Sequence, residues 1–319
     1  GVGLAGRLPA GGRAWGAGTE AAGGVAEIIG GGDGRAMLAG GGEALVTAYF
    51  VAGFSAMRVL SRRNDDPAGA ARPFDVERDG FLVGEAGAVV VLERREDALR
   101  RGARIFCEIA GYGASADAHH ITDPDPSALP QARAVRAALA DAGLRPEDVD
   151  HVNAHGGASQ PGDPAEVKML QLVLGEEVAA RVAVSATKSM HGHCMGATGA
   201  LEAAITALAL KESMLPPTIN LHTVDPDCEG VDHVANVARP AEAVPGRERD
   251  LELGGPGHDR DVVDALPARH DRLEVGRGRQ HPLRQGEGRD GRPEGAGGPP
   301  AAGAPRLGRP HAAPRRPPR

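Results

Sequence analysis

The sequence predicts an α/β fold in which strands are covered by helices, on three observations. Short apolar strands alternate with helical segments from Thr19 onward. The polar residues suited to chemistry stand where strands run into loops. Beyond about Pro240 the composition changes abruptly, which marks the end of the folded region.

The elements follow in order. "EAAGGVAEII" (residues 20–29) has small and apolar residues at helical spacing and reads as a helix. "RAMLAGGGEA" (35–44) reads as a short buried strand that turns at its glycines. "AYFVAGFSAMRVLS" (48–61) is apolar at helical spacing, and Ala88–Leu92 forms a strand before a charged helix. "RIFCEIAGYGAS" (104–115) reads as another strand, which makes Cys107 a core residue. "SALPQARAVRAALADAG" (127–143) is a helix stopped by glycine, and "HVNAHG" (151–156) is a strand ending in a loop. "DPAEVKMLQLVLGEE" (163–177) is a helix with proline in its first turn and an acidic start. "RVAVSATKS" (181–189) is a strand entering a loop. "GATGALEAAITALALKES" (196–213) reads as a buried helix.

Composition narrows the function. The 319 residues carry a net charge of −7, so the chain as a whole has no nucleic-acid signature. Three cysteines at unrelated spacings suggest neither a disulfide framework nor a zinc site, and no metal is expected. No signal peptide is evident, and no apolar run reaches the roughly 18 residues of a membrane span, which points to a cytoplasmic protein without membrane contact. After Pro240 there is no Lys, Ile, Met, Cys, Asn, Ser, Thr or aromatic residue. Such a segment buries too little apolar surface to offset a backbone entropy of about 1–2 kcal/mol per residue. Residues 259–319 are therefore expected to be a disordered Arg/Pro/Gly-rich tail.

Three polar groups carry the chemistry. They are His155 in "NAHG", Lys188 and His193 in "TKSMHGH", and Asp163 with Glu166 in "GDPAE". Two histidines from separate loops can donate hydrogen bonds to one carbonyl oxygen, and a lysine beside them raises the local potential and can orient one of them. Asp163 and Glu166 share a helix face, where they equally suit the positive end of the helix. His119, His120, His151 and His191 read as structural or surface residues, Cys194 as a buried thiol, and Cys228 as a loop residue.

The ordered motifs "RNDDPAGAARPFDVERDGFLVGE", "GYGASADAHHIT", "NAHG…GDPAE", "ATKSMHGH…GATGALEA" and "LPPTINL" resemble the β-ketoacyl-[acyl-carrier-protein] synthases, nearest the synthase II branch, over about residues 18–238. The resemblance implies a thiolase-like five-layer α-β-α-β-α sandwich, usually a homodimer. Residues 1–95 would be the remainder of an N-terminal half, which is expected to be incomplete, and 96–258 the C-terminal half. The implied reaction is a decarboxylative Claisen condensation that needs no cofactor. His155 and His193 would hold the thioester carbonyl of malonyl-acyl-carrier protein, Lys188 would support the site electrostatically, and Asp163 and Glu166 would form a polar network behind them. The implied partner is an acidic acyl-carrier protein, which Arg58, Arg62 and Arg63 are placed to meet, or else they form a solvated helix end.

The sequence departs from the family at both ends. Trp15 falls on the nucleophilic cysteine, and tryptophan forms no thioester. "DLELGGPGH" (250–258) stands where the family has a glycine-rich active-site loop. Read as GAT-CTC-GAA-CTC, the first four codons give Ile-Ser-Asn-Ser in the next frame, so a frame-shifted GC-rich gene is the simplest reading, with the tail as its out-of-frame product. "HGGASQPGD" (155–163) also lacks hydroxyls that the family carries. Three functions compete on this basis: a condensing enzyme of fatty-acid or polyketide synthesis, a cysteine-less decarboxylase or partner subunit, and an inactive product of a degraded gene.

Overall fold

A computed structural model describes residues 17–120 and 123–241. Trp15, the loop at 250–258 and the tail at 259–319 lie outside the described residues.

The chain opens with helix α1 (Ala17–Gly30), whose Ala22, Val25 and Ile29 form one buried stripe. It ends in a run of glycines. Strands β1 (Ala36–Glu43) and β2 (Ala86–Glu93) then form an antiparallel pair in which Leu38 faces Val91 and Ala39 faces Val90. Alternation sends Ala39, Met37, Val90 and Leu92 onto α1 as one small core. Leu38, Val89 and Val91 point the other way and are 53%, 67% and 68% exposed.

Two expectations change here. The glycines of "AGGGE" do not turn the chain but lie inside β1. A Cβ on Gly41 would sit 2.6 Å from the Gly196 carbonyl oxygen, so glycine is there for close approach of another loop. Helix α2 (Ala48–Ala56) forms as its spacing predicts but buries no residue, and Tyr49 is 83% exposed.

Helix α3 (Arg95–Arg100) follows β2. The segment 104–115, expected as a strand, joins no ladder. It lies on helix α4 (Leu129–Ala142). A Cβ on Gly113 would meet the Ala134 carbonyl oxygen at 2.1 Å, and the Tyr112 N–H donates to Asp141 at 2.9 Å. Its contacts are thus made to a helix, and Cys107 is only half-buried rather than core.

The second half is built on a parallel sheet in the order β3 (His151–Asn153), β4 (Ala183–Ser185), β6 (Asp232–His233). Helix α5 (Gly162–Leu174) and the short α6 (Glu176–Ala179) pack Val167, Leu170, Val173 and Val178 against Val182 and Val184 in the largest core, and α4 packs against α5. Cys228, expected in a loop, is fully buried in this core on a short 3-10 turn, and burial pushes its thiol up to about 12. The short α7 (Lys188–His191) leads from β4 to α8 (Thr198–Glu212). Strands β5 (Met214–Leu215) and β7 (Arg239–Pro240) close the region as a two-residue antiparallel pair. Helix α8 touches β1 and β2 on one side, and on the other Asn153 of β3 donates to the Glu202 carbonyl at 3.4 Å and to Thr206 at 3.1 Å. The described layers therefore run sheet, helix, sheet, helix. Only the first turn of α8 is fully buried, because both short sheets leave its later turns half-covered.

His151 is half-buried in β3 beside Ser185 Oγ at 2.9 Å. Burial first, and Arg239 second, pull its imidazole down to about 4. A base whose folded pKa is depressed contributes stability above its unfolded value near 6.5 and loses it as the pH falls toward 4. His151→Gln keeps a hydrogen-bonding group and removes the titration. It is expected to lessen the fall in stability between pH 6.5 and 4 by about 2 kcal/mol, read from urea midpoints across that range. An unchanged slope would reject the assignment.

Candidate active site

The chain builds the site at the carboxyl ends of β3 and β4. "NAHG" leaves β3 and brings His155 and Gly156 over the start of α5. There Glu166 accepts the His155 N–H at 2.6 Å and the Gly156 N–H at 2.8 Å. Gly156 has φ +43°, and a Cβ on it would sit 2.3 Å from Ala186 Cβ, so only glycine fits this turn without displacing β4.

Lys188, 3% exposed on α7, donates to the His155 carbonyl at 2.7 Å and to Glu202 Oε1 at 2.6 Å. The lysine thus orients the main chain of His155 and not its ring. Glu202 went unnoticed in the sequence. Its one signal was a lone carboxylate among the apolar residues of "GALEAAITALAL", and burial pushes it up against the opposing pull of Lys188.

His193 lies beyond α7, 2% exposed, with its ring 5.2 Å from that of His155 and 5.4 Å from Phe81. Its Nδ1 accepts the Met195 N–H at 3.0 Å, which leaves the ring proton on Nε2. Burial, then Lys188 and His191, pull His193 down to about 3. The Lys188 ammonium, ahead of burial and His193, holds His155 well below the usual histidine range. His155 is solvent-exposed, and the Lys188 charge is the main cause of its depressed pKa. Both imidazoles are neutral near pH 7. Phe81, Gly156, Gly157, Lys188, Gly192 and His193 share one small pocket. Among the described residues, no three His, Cys, Asp or Glu side chains gather as a metal site.

Asp163 does not touch the histidines. It accepts the Phe74 N–H at 2.8 Å and the Ser159 N–H at 3.2 Å and lies 3.8 Å from the Arg78 guanidinium. It ties the far end of the 155–161 loop to the 72–78 segment, and burial pushes it up to about 7. Arg78 completes the tie by donating to the Ser159 and Gln160 carbonyls and to Asp225. The acidic pair therefore divides: Glu166 holds the histidine end of the loop and Asp163 the other. Arg58 and Arg62 are exposed, and Arg63 is half-buried with its guanidinium 3.4 Å from Glu77. Their segment runs beside the Phe81 segment, to which the Val59 carbonyl is hydrogen-bonded.

Residues 16–98 match the family described as "Beta-ketoacyl synthase, N-terminal domain", and residues 106–222 match "Beta-ketoacyl synthase, C-terminal domain". The chain is 45% identical over 223 residues to a 3-oxoacyl-[acyl-carrier-protein] synthase 2 of Synechocystis sp., covering 70% of this chain and 53% of the relative. It is 46% identical over 220 residues to a protein of the same name from Vibrio cholerae, covering 69% and 53%. A solved β-ketoacyl synthase from Burkholderia phymatum superposes with a TM-score of 0.67 at 42% identity, covering 71% of this chain and 54% of that one. A ketosynthase solved in complex with its type II polyketide acyl-carrier protein gives 0.68 at 36%, covering 70% and 54%. The chain thus spans a little more than half the length of these relatives. By sequence and by thiolase-like fold, it belongs to the β-ketoacyl synthase family.

Proposed function

We propose that the site carries out β-ketoacyl-acyl-carrier-protein synthase chemistry, the decarboxylative Claisen condensation of fatty-acid or polyketide synthesis. The observation that carries this reading is the pairing of two neutral imidazoles with ring centroids 5.2 Å apart, the His193 ring lining a small pocket together with the buried Lys188. Neutral rings donate hydrogen bonds to a thioester carbonyl without bringing a charge that would hold the malonyl carboxylate in place. The C–C bond to the carboxylate breaks, carbon dioxide leaves, and the electron pair passes into an enolate whose oxygen the two N–H groups stabilise. In condensation, that carbon attacks an acyl thioester and expels a thiolate. In its absence, the enolate takes a proton and becomes an acetyl thioester.

The described residues equip the decarboxylation half. Trp15, at the nucleophile's place in the sequence, favours a second reading in which this chain decarboxylates malonyl-carrier protein or serves as a non-catalytic partner subunit. An acyl-carrier protein is the partner in this reading, as in the ketosynthase solved with one, and a homodimer and a cytoplasmic setting belong to the same proposal. No described helix is long and apolar enough to cross a membrane. Arg58 and Arg62 are the exposed cations suited to an acidic carrier, and unchanged carrier binding after their charge reversal would reject that contact.

The test is carbon dioxide release from malonyl-carrier protein by the chain as it stands and by Trp15→Cys. We expect release from both, and β-ketoacyl product only from Trp15→Cys when an acyl donor is present. Release from both without condensation would favour the decarboxylase reading. No release from either soluble protein would overturn both.

A further inference from the structure

We propose that Thr198 is a positioning residue that reinforces the His193 tautomer set by the Met195 N–H and disfavours a second proton on the ring. The idea rests on reading His193 as the hydrogen-bond donor to a thioester carbonyl. Its evidence is geometric. Thr198 opens α8, is 3% exposed, and places Oγ1 3.2 Å from His193 Nδ1. The Met195 N–H already donates to that nitrogen at 3.0 Å. An N–H donates only, so Nδ1 carries no proton, and the Thr198 hydroxyl is a donor in this contact as well. Two donors converge on one nitrogen. Each opposes protonation there, and each strengthens the form in which Nε2 holds the ring's only proton.

The start of α8 is held firmly enough for this task. A Cβ on Gly199 would meet Thr19 N at 2.4 Å, and a Cβ on Gly18 would meet Ala200 N at 2.4 Å. The first turns of α1 and α8 thus touch backbone to backbone, and Thr198 sits at that crossing. Threonine at a first helical turn more often bonds to its own main chain, and here it faces a histidine from another segment.

Lys188 on α7 and His191 at its end both disfavour a second positive charge, and the His155 ring stands 5.2 Å away. These remain in a Thr198 variant, so the hydroxyl's share can be separated from theirs.

The test is nitrogen NMR of the histidine rings in the 15N-labelled full chain, with a pH titration. Thr198→Val keeps the shape and removes the donor, and Thr198→Ser restores it. We expect the His193 midpoint to rise by about one unit in Thr198→Val and to return in Thr198→Ser. The Nδ1 resonance of the neutral ring should keep its unprotonated position in Thr198→Val, held there by the Met195 N–H, while the midpoint moves. Equal midpoints in all three proteins would overturn the proposal. So would a rise in Thr198→Val that serine fails to reverse, because that pattern reports altered packing. The readout requires no turnover. A chain with the expected tautomer that releases no carbon dioxide would sink the condensing reading and leave this one standing.

Discussion

Replacing Lys188 with methionine is expected to destabilise the fold by about 2–4 kcal/mol, below the top of the range for breaking a buried ion pair. The substitution removes both hydrogen bonds of a 3% exposed ammonium at once. The His155 carbonyl loses its donor, and the Glu202 carboxylate is left in a half-buried place without its cation. Burial already pushes Glu202 toward its protonated form, so part of the cost is met by proton uptake, which keeps the figure moderate. The double variant Lys188→Met/Glu202→Gln should recover much of the loss, since a neutral amide needs no cation. The same substitution should raise the His155 pKa, because the Lys188 charge is the largest cause of its depression. Chemical unfolding of the single and double variants, with a histidine titration beside it, checks both halves. A single variant as stable as the parent, or a double variant no better than the single, would contradict the pairing.

Gly156→Ala is expected to cost about 2–5 kcal/mol from two separable sources. One is the left-handed backbone at φ +43°, which a Cβ disfavours by about 1–2 kcal/mol. The other is the 2.3 Å approach of that Cβ to Ala186 Cβ, which β4 cannot yield cheaply from inside the core. Gly156→Ala/Ala186→Gly removes the clash and keeps the strain, since the next atoms, Ala186 Cα and Pro73 Cβ, lie at 3.4 Å. It should restore part of the loss, and the remainder measures the backbone term. Thermal midpoints of the two variants make the comparison. A single variant within about 0.5 kcal/mol of the parent, the usual scatter of surface changes, would show that the turn is freer than described.

The sequence and the structure agree where local physics decides and differ where a partner decides. Helices α1, α4 and α5 follow from apolar spacing with glycine or proline at their ends. The strand-end positions of His155 and Lys188 follow from small residues beside polar ones. The segment 104–115 carries a strand's alternation, but a strand needs another strand, and here its neighbour is α4. The glycines of β1 resemble a turn locally, while the cause of their presence, the loop at Gly196, lies more than 150 residues away in the chain. Glu202 was hidden for the same reason. A single acid in an apolar helix says nothing until Lys188 is brought to it. Exposure of α2 and of Leu38, Val89 and Val91 was equally illegible, because apolar letters do not state whether anything covers them.

Glu166 grips the loop by its amides, and every residue except proline has one. The clamp is therefore blind to side chains. Residues 157–160 can change their lettering under no demand from Glu166, and the glycine at 156 is required by its left-handed backbone and by crowding. What the clamp does measure is length. Its two oxygens reach back eleven and ten residues to the amides of His155 and Gly156. An insertion or deletion in between would offer the carboxylate the wrong turn of chain. This stretch should accept almost no change in spacing.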